Sequence, residues 1–188
     1  GMIIRGRNIN NPVLLFVHGG PGMPEYFVSH YNENPLEDIF TVCWWDQRGA
    51  GLSYDAGLTA EDITLNNLVE DAVGVTNYLR ERFGQDKIYL MAHSWGTVPG
   101  IHTAKAAPEL YHAYIGMAKM TGLPGMEKII VDHLAGLYRQ KGQEQMARKV
   151  ETAMAEGTFS GSALRDKAMH ELGVGTMRNM DSVISDIF

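Results

Sequence analysis

Lys87-Ile88-Tyr89-Leu90-Met91-Ala92-His93-Ser94-Trp95-Gly96 is the stretch on which the fold turns. Residues 88–92 form an uninterrupted apolar run of strand length, the pattern of a strand buried on both faces. His93 and Ser94 end that run, and residues 96–107 are helix-compatible, with Pro99 near the start, where proline is tolerated. A serine hydroxyl is a poor nucleophile until it is held exposed on a sharp strand-to-helix turn, and the crowding there demands small residues around it. Ala92 and Gly96 meet that demand around Ser94. Ala92 stands where the G-x-S-x-G pattern has its first glycine, a position that needs smallness more than a positive φ.

Working outward, two more buried strands lead into polar, glycine-rich loops. Pro12-Val13-Leu14-Leu15-Phe16-Val17 runs into His18-Gly19-Gly20-Pro21-Gly22, and Phe40-Thr41-Val42-Cys43-Trp44-Trp45 runs into Asp46-Gln47-Arg48-Gly49-Ala50-Gly51. Between them and the serine, Leu65, Leu68, Val69, Ala72, Val73, Leu79 and Phe83 recur at three- and four-residue steps. Thr64 is placed as the N-cap of this amphipathic helix and Gly84 as its stop. Tyr111 to Met120 supplies a fourth strand. Alternating strands and helices require right-handed crossovers, so the expected fold is α/β, a mostly parallel sheet with flanking helices. Ligands bind such sheets at the loops on the carboxyl ends of the strands.

After Gly122 the texture changes. Residues 128–155 and 163–172 are helical in pattern, rich in Met, Lys and Glu, and no strand run interrupts them. The expected organisation is therefore a core over residues 1–122 and part of a helical cap over residues 123–188. Met117, Met120, Met126 and Met146 could line an adaptable apolar pocket, but core filler is the favoured reading.

An attacked carbonyl becomes an oxyanion, which preorganised backbone N–H groups must meet. The N–H of Trp95 lies at the start of a helix, beside the positive end of its dipole. A second donor is expected from the loop after the first buried strand, at Gly20 or, next in order, Gly19, because glycine allows close backbone approach.

His18-Gly19-Gly20-Pro21-Gly22, Asp46-Gln47-Arg48-Gly49-Ala50-Gly51-Leu52-Ser53 and His93-Ser94-Trp95-Gly96-Thr97, in this order, resemble the proline iminopeptidase (prolyl aminopeptidase) family of α/β-hydrolases. The resemblance covers residues 12–120. It implies an α/β-hydrolase fold and hydrolysis of an amide or ester without a cofactor, in that family the release of N-terminal proline from short peptides. It makes Ser94 the nucleophile, Gly20 and Trp95 the oxyanion donors, and Asp46-Gln47-Arg48 a structural loop. Asp46 and Arg48 could also be read as a catalytic acid and an anion clamp, but because the triad acid should follow the serine, a mutual salt bridge or backbone hydrogen bonds within the loop are the expectation. Glu127, Glu144, Glu151 and Glu156 are available to bind a substrate α-amine, although helical surface charge accounts for them equally well.

In this fold the acid and then the histidine of the triad follow the serine, on loops after later strands. Here the later histidines are His102, His112, His133 and His170, and the acids include Asp132, Asp166, Asp181 and Asp186. None follows a buried strand run. His102 lies on the helix leaving the turn, His112 begins a strand, and His133 and His170 sit in cap helices. His93 is expected to pack under the turn. Only Met2 to Asn11 precede the first buried strand, and residues 181–188 read as an apolar-patterned helix, so we expect a chain shortened at both ends. A sheet that stops early leaves a strand edge, and a homo-oligomer covering that edge is expected.

Two readings follow: a serine hydrolase whose acid and base lie beyond Phe188 or in another chain, and a non-catalytic module for binding or assembly. Dehalogenase and epoxide hydrolase chemistry is disfavoured, because it places a carboxylate where this chain has Ser94.

Composition narrows the rest. The 188 residues carry a formal charge of −6, which offers no basic stripe for nucleic acid and suits a small peptide or ester substrate. The single cysteine, Cys43, forms no internal disulfide, no cluster has zinc-ligand spacing, and a reducing cytoplasm is the expected location. Residues 3–7 are too short and polar for a signal peptide, and no run approaches the roughly 20 apolar residues of a membrane helix.

Overall fold

A computed structural model describes residues 1–31, 35–120, 123–155 and 159–175. The chain separates into two compact units, Gly1–Met120 and Thr121–Phe188.

The first unit is built on a sheet of five strands: β1 (Met2–Arg5), β2 (Val13–Val17), β3 (Thr41–Trp45), β4 (Ile88–His93) and β5 (Tyr111–Met117). Their spatial order is β1-β3-β2-β4-β5. β3, β2, β4 and β5 run parallel, and β1 is antiparallel to β3. The parallel register aligns Phe16 with Trp44 and with Met91, and Val17 with Trp45 and with Ala92.

Every residue of β2 and β3 is buried, because both faces of the sheet are covered. On one face Val13, Leu15, Val17, Cys43, Leu90 and Ala92 pack with Leu79, Ala72 and Tyr111. On the other, Leu14, Phe16, Val42, Trp44 and Met91 form a second cluster, with the Phe16 and Trp44 rings 4.6 Å apart. Each valine, leucine, phenylalanine and methionine among them contributes about 1.5–3 kcal/mol by leaving water.

Two helices belong to this unit, α1 (Leu65–Phe83) and α2 (Thr97–Ala106). α1 begins where expected: the Thr64 hydroxyl accepts from the N–H of Asn67 at 3.1 Å. It stops at Gly84, whose φ of 61° and ψ of 36° lie in the left-handed region that ends helices. Its buried line is Leu68, Ala72, Thr76 and Leu79. The one polar member, Thr76, is matched by the Tyr111 hydroxyl at 2.8 Å.

β1 departs from expectation. Met2–Arg5 forms a paired strand, with Ile4 opposite Cys43, ahead of the run read as the first buried strand. Met2 and Ile4 pack on one sheet face and Ile3 on the other. Four residues suffice because β3 supplies the whole ladder along one side.

The second unit holds α3 (Leu123–Gln140), α4 (Glu144–Ala155) and α5 (Phe159–Leu172). The helical stretch read as continuous over residues 128–155 is divided at Lys141-Gly142-Gln143, where Gly142 adopts φ 73°. Val131, Leu134, Ala135, Tyr138, Ala147, Val150 and Ala168 form its core, with Met146 packed against them. The expected helix over residues 181–188 lies outside the described residues.

Candidate functional site

β4 ends at His93, and the chain turns at Ser94 into a short 3₁₀ turn, Ser94–Gly96, that continues as α2. Ser94 has φ 51°, a left-handed conformation that costs a non-glycine residue about 1–3 kcal/mol. Neighbouring elements hold it there. A Cβ on Gly96 would collide with the carbonyl oxygens of both Val17 and His18, so the turn is pressed against the end of β2. A Cβ on Gly100 would meet that of Ala92 at 2.8 Å. The alanine at 92 is thus accommodated by the glycine opposite it.

The first helical turn is tied down by hydrogen bonds. The Thr97 hydroxyl donates to Ser94 O at 2.7 Å and accepts from the N–H of Met120 at 3.0 Å. From β5, the Tyr114 hydroxyl donates to Thr97 O at 3.2 Å. Trp95 follows Ser94 within the opening turn, where backbone N–H groups have no acceptor inside the helix.

The loop after β2 packs directly on this turn: a Cβ on Gly19 would lie 2.9 Å from Ser94 Cβ and 3.0 Å from His93 O. Gly20 has φ 111°, and a Cβ there would lie 2.7 Å from the N–H nitrogen of Met23, so only glycine fits. The base of the loop is anchored by His18, which is buried. Its Nε2 accepts from the N–H of Gln47 at 3.1 Å, which places the ring proton on Nδ1, 3.0 Å from Gly19 O. The Gln47 side chain donates to His18 O at 2.6 Å. The structure therefore brings Ser94, Trp95 and the Gly19-Gly20 loop together at the carboxyl ends of β2 and β4.

Asp46 turns inward within its own loop: its Oδ2 accepts from the N–H of Leu52 at 2.7 Å, and the Ser53 hydroxyl donates to its carbonyl at 2.6 Å. Of the two arrangements expected for this loop, a bond from the backbone holds the Asp46 carboxylate, in place of a salt bridge to Arg48. Arg48 instead makes a two-pronged pair with Asp71 of α1, at 2.8 and 2.7 Å. A guanidinium fork matches a carboxylate presented by a rigid helix better than one already occupied within its loop.

Two carboxylates near this region carry no signal in the sequence pattern. Glu25 Oε1 accepts from the N–H of Gly19 at 2.7 Å, and its Oε2 pairs with His93 Nδ1 at 2.9 Å. His93 therefore does more than pack under the turn: its side chain is 37% exposed, and it helps line a cavity of about 290 Å³ together with Phe16, Trp44, Met91, Met117, Glu25 and Glu37. Glu37 Oε1 accepts from Trp44 Nε1 at 3.0 Å, while its buried Oε2 has no partner among the described residues. A carboxylate in a loop such as Met23-Pro24-Glu25-Tyr26 looks like ordinary surface charge until the loop is folded back.

The later histidines divide between the two units. His102 and His112 are exposed, His112 with its ring 5.1 Å from that of Tyr89. In the second unit His133 is exposed, and the buried Nδ1 of His170 has no partner among the described residues. Asp132 pairs with Lys128 and Asp166 with Arg165, both at 2.7 Å, and Asp181 and Asp186 lie outside the described residues. The glutamates considered for amine binding are engaged at helix surfaces: Glu127 with Arg165, Glu144 with Arg139 and Arg148, and Glu151 with Arg139. Glu156 is outside the described residues. Among the described residues no cluster of three or more His, Cys, Asp or Glu side chains is arranged to hold a metal ion. No described helix is long and apolar enough to cross a membrane.

The family described as the alpha/beta hydrolase fold matches residues 12–182. The Bacillus subtilis protein named "Probable aminopeptidase YbaC" is 37% identical over 141 residues, 74% of this chain and 44% of its own length. A proline iminopeptidase of Saccharolobus solfataricus is 30% identical over 125 residues, 64% of this chain and 36% of its own. The chain thus spans less than half the length of these two relatives. Among solved structures, a proline iminopeptidase-related protein of Thermus thermophilus superposes with a TM-score of 0.57 at 27% identity, over 79% of this chain and 51% of that one.

Proposed function

The chain belongs to the α/β-hydrolase fold family, and on that footing we propose that it carries the nucleophile half of a proline iminopeptidase-like serine hydrolase. The bond cleaved is an amide, releasing the N-terminal residue of a short peptide, or an ester. One observation carries the reading: Ser94 is held at φ 51° between the end of β4 and the start of a helix, with the glycine loop after β2 packed against it. Surrounding structure sustains strain of this kind where it presents a reactive group.

In this reading the Ser94 hydroxyl attacks the substrate carbonyl, forming a C–O bond as the carbonyl electrons move to oxygen. The N–H groups of Gly20 and Trp95 stabilise the resulting oxyanion, the interaction with the largest single effect on such barriers. Collapse of the intermediate expels the amine or alcohol and leaves an acyl-serine, which water hydrolyses. A general base must take the Ser94 proton, and no histidine of the described core stands ready for it. The described residues of the first unit by themselves offer the modest acceleration that an oxyanion hole supplies without its base. The similarity to named aminopeptidases supports the peptide substrate, and the single buried Cys43 accords with a reducing cytoplasm.

The exposure of His102 and His112 favours a second reading, a non-catalytic module for binding or assembly. A fluorophosphonate probe and a prolyl-aminomethylcoumarin substrate separate the two. Labelling and turnover that disappear in Ser94→Ala support the hydrolase, and absent or Ser94-independent signal supports the module.

A further inference from the structure

We propose that Glu25 is a positioning residue that clamps the glycine loop after β2 to the strand end bearing Ser94 and leaves the N–H of Gly20 as the loop's donor to the substrate. This rests on the serine-hydrolase reading above. The loop needs such a tie. Gly20 and Gly22 have φ of 111° and 77°, conformations that bring freedom rather than rigidity, and a Cβ added at Gly22 would meet nothing within 4 Å. Within the loop, the Met23 N–H reaches Gly19 O only at 3.4 Å.

Glu25 supplies the missing constraint from both of its oxygens. One accepts from Gly19 N–H at 2.7 Å and the other meets His93 Nδ1 at 2.9 Å, so a single carboxylate joins the loop to the last residue of β4, next to Ser94. The Glu25 side chain is 16% exposed, which shields the bridge from solvent and distinguishes it from a surface ion pair. Charge then decides between the two candidate donors. The Gly19 N–H already faces a carboxylate oxygen, and a developing oxyanion placed on it would meet that like charge at close range. Gly20 escapes the conflict.

The test follows two quantities in the full chain: amide hydrogen exchange at Gly19 and Gly20 by NMR, and the rate at which a fluorophosphonate labels Ser94. Glu25→Ala is expected to speed exchange at Gly19 by about tenfold or more and to slow labelling by about 10- to 100-fold, the scale on which a misplaced donor acts. Glu25→Gln keeps an acceptor for Gly19 and a hydrogen-bonding group for His93, and is expected to restore both quantities to within about threefold of the parent. His93→Ala cuts the bridge at its other end and should change labelling in the same direction as Glu25→Ala, giving a second measure if that variant folds poorly. Labelling of Glu25→Ala at the parental rate, unchanged exchange at Gly19, or failure of glutamine to rescue would each overturn the proposal. A parent chain that shows no Ser94-dependent labelling overturns the hydrolase reading and the donor assignment together, whereas the exchange data identify failure of the clamp separately.

Discussion

Gly96→Ala sets two opposing effects against each other at the turn that carries Ser94. Gly96 has φ −56° and ψ −20°, already helical, so alanine would gain about 1 kcal/mol from helix propensity were nothing nearby. The new methyl, however, would collide with the carbonyl oxygens of both Val17 and His18, well inside an ordinary contact distance of about 3.4 Å. Neither oxygen can rotate aside, because both belong to the backbone at the end of β2, a central strand paired on both sides. Overpacking of this kind costs about 1–3 kcal/mol, and two rigid contacts place it at the top of that range, so the net loss is about 2 kcal/mol. Gly74, exposed on α1 with nothing within 4 Å of an added Cβ, is the matched control. There the same substitution is expected to gain about 0.5–1 kcal/mol. Urea unfolding reads both: with a slope of roughly 2 kcal/mol/M, Gly96→Ala should lower the midpoint by about 1 M and Gly74→Ala should raise it. A Gly96→Ala variant as stable as its parent would refute the reasoning, since it would mean that the turn does not press on β2.

The strain at Ser94 predicts that Ser94→Gly raises stability by about 1 kcal/mol in the same assay while abolishing probe labelling; a loss of stability would argue against a strained turn. Trp44→Phe removes the donor to Glu37 and leaves both carboxylate oxygens buried without it, at a cost of about 1–3 kcal/mol, whereas adding Glu37→Leu should recover much of the loss. Burial pushes the Cys43 thiol up to about 12, so the unfolded thiol ionises first as pH rises. The stability it contributes is complete below about pH 9 and fades toward pH 12 by up to about 1.4 kcal/mol per pH unit; Cys43→Ala should flatten that alkaline slope in pH-dependent urea titrations. β5 pairs with β4 along one side, and among the described residues no strand pairs with its other side. Light scattering at micromolar concentration is expected to give the mass of a dimer or larger assembly, and a monomer mass would refute a covered edge.

Much of the architecture is local in its physics and was legible for that reason. A five-residue apolar run such as Val13–Val17 admits few structures besides a doubly covered strand, and Thr64 with Gly84 marks the ends of α1 through bonds and dihedrals confined to a few neighbouring residues. The setting of Ser94 is equally local, since small residues on either side at a strand-to-helix junction announce a tight turn before any partner is known. The parallel sheet follows from the alternation of these elements. What the chain does with its polar side chains was decided elsewhere. Arg48 took Asp71, 23 residues away, in preference to its neighbour Asp46, and Glu25 took His93, 68 residues away. Met2–Arg5 became a strand only because β3 offered a free edge. Apolar burial is non-directional and leaves a period in the sequence, whereas a hydrogen bond or ion pair depends on distances of a few tenths of an ångström between segments whose approach is set only when the sheet has formed. Sequence alone therefore determined the parallel strands and the turn that presents Ser94, and the tertiary structure decided the edge strand and which carboxylates stand around the turn.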